Sequence, residues 1–170
     1  FRSGDAQLSS EAALMNFDMV SAYEKWMNDF KDMQRPNGQL PGVIPSADWG
    51  YNFGSGPAWD SALFIIPWNV YKFTGDISLI KSMWQNMLTY MDYMSRQADD
   101  YICDYGLADW CSPIDRPQHP AVVTDTAYYY HNAILMGKMA ELMGEKADKW
   151  TELAKNIRKA WREKLLNNEE

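Results

Sequence analysis

Apolar positions recur three and four residues apart over most of the chain, the spacing that builds one face of a helix. Met15, Met19, Ala22, Trp26, Phe30 and Met33 make one such face and predict a single helix over residues 8–34. Ser9 or Ser10 with Glu11 supplies a capping hydroxyl and an acid at its start. Arg35-Pro36-Asn37-Gly38 stops it. Trp59, Ala62, Leu63, Ile66, Val70 and Phe73 predict a second helix over residues 58–73. Pro67 lies inside it, deletes one backbone hydrogen bond and predicts a kink. Gly75 follows as the left-handed residue past a C-terminus. Ile80, Met83, Trp84, Met87, Met91 and Met94 predict a third helix over residues 77–96. A fourth covers 124–143, and after Gly144-Glu145 a fifth covers 146–165, with Trp150, Leu153, Ala154, Ile157, Trp161 and Leu165 on one face. The one strand candidate, Val43-Ile44, is too short to compete.

Two long loops interrupt these helices. Residues 36–57 hold five of the ten Gly and four of the eight Pro, together with Asp48, Trp49, Tyr51 and Phe53. Residues 98–123 hold Asp99, Asp100, Asp104, Asp109 and Asp115 beside Trp110. Structureless loops above ~12–15 residues are uncommon and often functional. The short turns at Gly75 and Gly144 make antiparallel neighbours. Long loops at alternate junctions then fall at one end of the array, an arrangement typical of α/α toroids. The predicted fold class is all-α, a helical hairpin array.

Charge and composition remove several classes. Sixteen Lys and Arg against 23 Asp and Glu give a formal charge of −7, the wrong sign for a nucleic-acid partner. The longest apolar run, Ala62-Leu63-Phe64-Ile65-Ile66, is far below the ~18–20 residues of a membrane span. A chain of 170 residues buries roughly 70% of its unfolded surface in one core, so one domain is the default. Cys103 and Cys111 are too few for a disulfide scaffold and are either bridged within one loop or free. No zinc spacing or calcium loop appears, and no cofactor or metal is expected. Phe1-Arg2-Ser3-Gly4 does not read as a signal peptide. Eight Trp are more than a core of this size needs.

The loops concentrate Asp and Trp, which is the pairing glycoside hydrolysis uses. One acid protonates the leaving oxygen, a second carboxylate activates water or attacks, others bind hydroxyls, and aromatic faces pack on the C–H face of the ring. Gly4-Asp5-Ala6-Gln7, Asn16-Phe17-Asp18-Met19 and Lys25-Trp26-Met27-Asn28-Asp29 open a series of ordered runs. It continues through Gly42-Val43-Ile44-Pro45, Pro57-Ala58-Trp59-Asp60-Ser61-Ala62, Pro67-Trp68-Asn69-Val70-Tyr71 and Thr74-Gly75-Asp76. Gly106-Leu107-Ala108-Asp109-Trp110 and Thr126-Ala127-Tyr128-Tyr129-Tyr130 complete it. In this order and spacing the runs resemble the catalytic domain of family 78 glycoside hydrolases, the α-L-rhamnosidases.

The resemblance implies that residues 1–170 are part of an (α/α)6 catalytic domain, an incomplete (α/α)6 barrel, from an enzyme that hydrolyses terminal α-L-rhamnosides with inversion. It places Asp5 in the rhamnose pocket against sugar hydroxyls, Trp59 and Trp110 along that pocket, and Asp109 in its wall. The family's general acid is a Glu just before the Gly-Asp-Ala-Gln run and its general base a Glu far downstream. Both are expected outside this chain, so no catalytic residue is assigned within it and the chain alone is expected to be inactive. The implied partner is a rhamnose-containing carbohydrate, with self-association through an exposed half-barrel edge.

Plainer readings stand beside these. Asp5 also suits a helix cap, Trp59 a core stripe and Asp109 a turn. Asp60 reads as a first-turn acid stabilised by the helix dipole, His119 as a loop residue and His131 as a core histidine. Trp26, Trp84, Trp150 and Trp161 fall on core faces, while Trp49 and Trp68 are open. Two alternatives remain: another toroid glycosidase or polysaccharide lyase, and a non-enzymatic helical-repeat binding module. Gly75 and Gly144 stand 69 residues apart, about twice the ~34-residue tetratricopeptide period, but that repeat's residue pattern is not visible.

Overall fold

The computed structural model describes residues 3–52, 56–107 and 121–166. Among the described residues seven α-helices follow one another: α1 (Ser3–Asn16), α2 (Val20–Met33), α3 (Pro57–Asp60), α4 (Ala62–Thr74), α5 (Ser78–Gln97), α6 (Ala121–Met143) and α7 (Asp148–Lys164). A short 3-10 turn lies at Ala47–Trp49 in the first long loop. No β-strand is present among the described residues. The all-α hairpin array expected from periodicity is what forms.

The α4–α5 and α6–α7 hairpins close at Gly75 and Gly144, both at φ +73°. In each, a residue without Cβ takes the left-handed position that ends the helix. The core lies between hairpins. Met27, Phe30, Phe64, Ile80, Met83, Met87, Met136 and Met139 are fully buried in it. Methionine's unbranched side chain fills the irregular gaps between helices that cross at different angles.

Three expectations change. The predicted helix over 8–34 is two helices, broken at residues 17–19 and beginning earlier, at Ser3. Ser9 and Ser10 are therefore not caps. Their hydroxyls donate back to carbonyls of their own helix, Ser9 to Asp5 at 2.9 Å and Ser10 to Gln7 at 2.7 Å. Met15, counted on the core face, is 70% exposed. The helix predicted over 58–73 is interrupted at Ser61, while Pro67 is accommodated inside α4. The Ser61 amide still reaches Pro57 O at 3.1 Å, so α3 and α4 share a nearly continuous path. His131, expected in the core, lies on the exposed side of α6.

The first long loop is tied to α2 in both directions, by a side chain of the helix and by one of the loop. Trp26 Nε1 donates to Ile44 O at 2.9 Å, and Tyr51 OH donates to Met33 O at 2.6 Å. Leu40 and Ile44 are fully buried beneath it. The second loop begins with a tight turn in which Asp99 and Ile102 exchange both backbone hydrogen bonds at 2.9 Å. Asp100 and Tyr101 carry φ +43° and +67° there, the mirror-image turn geometry. Cys103 is a buried, free thiol, and burial pushes it up to about 12. Cys111 lies outside the described residues.

Candidate functional site

The two long loops meet at one end of the helices. Gly56 has φ +127°, and a Cβ placed on it would stand 2.8 Å from both Gly106 Cα and Tyr105 O. Only glycine satisfies that backbone angle and that contact together. Gly56 hands the chain to Pro57, which starts α3 with its ring already at a helical φ.

Four residues of α3 are then fixed from three sides. Ala58 N–H donates to Asp125 Oδ1 of α6 at 3.2 Å. Gln7 Nε2 of α1 donates to Ala58 O at 2.6 Å. Asp60 Oδ2 accepts the Gly56 N–H at 3.2 Å and the Tyr90 hydroxyl at 2.9 Å. The Trp59 ring lies on Gly4, whose Cβ, if present, would come within 2.2 Å of its Cε3. Beside this cluster, Thr126 Oγ1 accepts the Cys103 N–H at 3.0 Å and donates to Cys103 O at 3.2 Å.

The junction is buried and acidic. Asp60 and Asp125 are 1% and 0% exposed. Burial pushes the Asp60 carboxyl well above the usual carboxylate range, opposed by its hydrogen bonds from Tyr90 and Gly56. Burial pushes Asp125 up to about 7, against the Ala58 N–H and with help from the negative Asp104. Tyr90 and Tyr105 are raised by the same burial and by Asp60. One oxygen of each carboxyl, the Gln7 Oε1 and the Trp59 Nε1 have no hydrogen-bond partner among the described residues. Buried polar atoms are normally satisfied, which makes this junction a candidate for a site.

Sequence-predicted residues divide here. Trp59 is 6% exposed, at the centre of the junction. Asp5 is exposed on the other side of α1. It opens on a cavity of about 590 Å³ between α1 and α2, lined also by Ala6, Ser9, Tyr23, Trp26 and Asp29. Asp109 and Trp110 lie outside the described residues. Of the ordered runs, those containing Gly4 and Gln7, Ala58 and Trp59, Gly106, and Thr126 all converge on this end. Sequence reasoning passed over Asp125 and read Asp60 as a first-turn acid, which it is, without its burial or its bond to Tyr90. Asp125 carried a readable signal: with Tyr129, Asn132 and Met136 it completes the buried face of α6, an acid where an apolar residue is expected.

The family model described as bacterial alpha-L-rhamnosidase 6 hairpin glycosidase domain matches residues 2–170. The chain belongs to this family. An alpha-L-rhamnosidase of Formosa agariphila is 28% identical over 97% of this chain, which spans 18% of that relative. The structure titled alpha-L-rhamnosidase from Dictyoglumus thermophilum is 36% identical, with a TM-score of 0.89 over 98% of this chain and 19% of its own. The Streptomyces avermitilis alpha-L-rhamnosidase, solved in complex with L-rhamnose, is 26% identical with the same TM-score of 0.89, over 98% of this chain and 16% of its own. The chain thus spans less than a fifth of the length of the relatives it matches. Membership of a six-hairpin glycosidase domain family sets the helical-repeat module aside.

Proposed function

We propose that this chain supplies part of the rhamnose-binding wall of an inverting α-L-rhamnosidase. In that reading Asp5 binds sugar hydroxyls, Trp59 and Trp110 line the pocket and Asp109 stands in its wall. The observation that carries it is the exposed Asp5 carboxylate at the mouth of the α1–α2 cavity, one residue after Gly4, which seats Trp59 on the opposite side of the same helix. An ionised carboxylate accepts hydrogen bonds from adjacent hydroxyls of a bound sugar, and an aromatic surface covers its C–H face. Similarity to a relative solved with L-rhamnose supports the choice of sugar. Inversion requires an acid and a base about 6.5–9.5 Å apart with water between. We assign neither to this chain, whose part is binding and orientation. Among the other toroid glycosidases and lyases the sugar would differ.

Calorimetric titration of the chain with a panel of monosaccharides tests the reading. L-rhamnose should bind in preference to glucose, mannose and galacturonate. Asp5→Ala should weaken it about ten- to a hundredfold, the worth of one or two hydrogen bonds to a charged group. The chain should release no p-nitrophenol from p-nitrophenyl α-L-rhamnoside. Preference for another sugar, or an unchanged Asp5→Ala affinity, would sink the proposal.

A further inference from the structure

Helix α3 lacks the cap its position calls for. The first N–H groups of any helix have no intrahelical partner, and a side chain just before the helix usually accepts one. Here the preceding residue is Gly56, which has no side chain, and α3 has no side-chain bond from its own cap position. The acceptor comes from 67 residues away: Asp125 Oδ1, rising from the first turns of α6, takes the Ala58 N–H. On the other face of the same residue, Gln7 of α1 takes the Ala58 carbonyl at 2.6 Å. Asp60, three residues into the helix from Pro57, closes back on the Gly56 N–H. The peptide units before and after Ala58 are therefore clamped between two other helices, and the next side chain along is the Trp59 indole.

We propose that Asp125 is a positioning residue for Trp59: its carboxylate, opposed by Gln7 across Ala58, sets where the indole stands in the sugar pocket. The proposal rests on the rhamnose-binding reading for its functional consequence and on the clamp geometry for its structural one. The indole is held on its flat side by Gly4 and from its backbone by the clamp, so releasing the Ala58 N–H frees the ring to swing about the start of α3. Two neighbouring groups already have partners: Thr126 Oγ1 bonds to Cys103, and Asp60 Oδ2 accepts from Gly56 and Tyr90.

Three variants separate positioning from plain stability. Asp125→Asn keeps an oxygen acceptor of the same shape and should retain wild-type L-rhamnose affinity. Asp125→Ala should weaken L-rhamnose about tenfold and shift the Trp59 indole N–H resonance, assigned through Trp59→Phe. Tyr129→Phe, one turn along α6, removes the hydroxyl bonded to Ser95 at 2.9 Å and should change stability with neither readout moving. Should Asp125→Ala not fold, Gln7→Met opens the clamp from the other side and should give the same pair of changes. An unmoved indole resonance in Asp125→Ala or Gln7→Met would overturn the proposal. A wild-type chain that binds no L-rhamnose would overturn the rhamnose reading alone, because the resonance still reports the clamp.

Discussion

A carboxyl group surrounded by other acids and removed from water gives up its proton late. Asp125, pushed up to about 7 by burial and by Asp104, faces Asp60 and Cys103 from neighbouring elements. Because its folded value lies above the ordinary one near 3.8, its contribution to stability is complete below about pH 4. It is lost as pH rises through about 7. The full span amounts to about 4 kcal/mol if the unfolded group is ordinary. Asp60, shifted in the same direction, steepens the same trend. Urea unfolding midpoints should therefore fall between pH 4.5 and pH 8, and Asp125→Asn should flatten that fall while leaving the Asp60 part. An identical slope in wild type and variant would show that Asp125 does not titrate in this range.

At the scale of elements, legibility followed the chemistry of the buried face. α5 packs Ile80, Met83, Met87, Met91 and Met94, and α7 packs Trp150, Ala154 and Ile157. Both were readable because apolar periodicity and burial coincide. α1 buries Ser3, Gly4, Gln7 and Ser10 instead, so its inward face looks polar. Its apolar residues Leu8 and Met15 point outward at 75% and 70% exposure, and Phe17 just past its end is 69% exposed. The apolar spacing that seemed to run on from Met15 to Met19 joined two unrelated faces, which hid the break. Polar positions hold α1 to α4: Asn69 Nδ2 donates to Ser10 Oγ at 2.7 Å in a fully enclosed pair. Asn69→Ala should destabilise the chain by about 1–3 kcal/mol, through a lost hydrogen bond and the space left behind. Denaturant unfolding measures it, and a loss below about 0.5 kcal/mol, the level of surface substitutions, would place the α1–α4 adhesion elsewhere.

For the whole molecule, the hairpin order was visible because the turn glycines and the loop lengths are local features. Of the candidate site, only Trp59 was singled out through the resemblance; the meeting of α1, α3 and α6 around it is a property of topology that no local pattern carries. The same arrangement leaves the outward stripe of α1 beside the α1–α2 cavity with several large apolar side chains in water. Large apolar side chains left in water on one edge favour association. Sedimentation should show a concentration-dependent dimer or larger species, and Leu8→Glu with Met15→Glu should return it to monomer. A chain that stays monomeric at high concentration would argue against that edge.

The back-to-back approach of Gly56 and Gly106 bears on how such a domain can be re-engineered. At this point backbone meets backbone, and no side chain stands between Gly56 and Gly106 to absorb a change. A different loop grafted at 98–107 brings its own path past Gly56, and a graft at 36–56 must still arrive there with a glycine. The loops are interchangeable as a matched pair, and a library that diversifies one alone will sample mostly chains in which Trp59 has lost its footing.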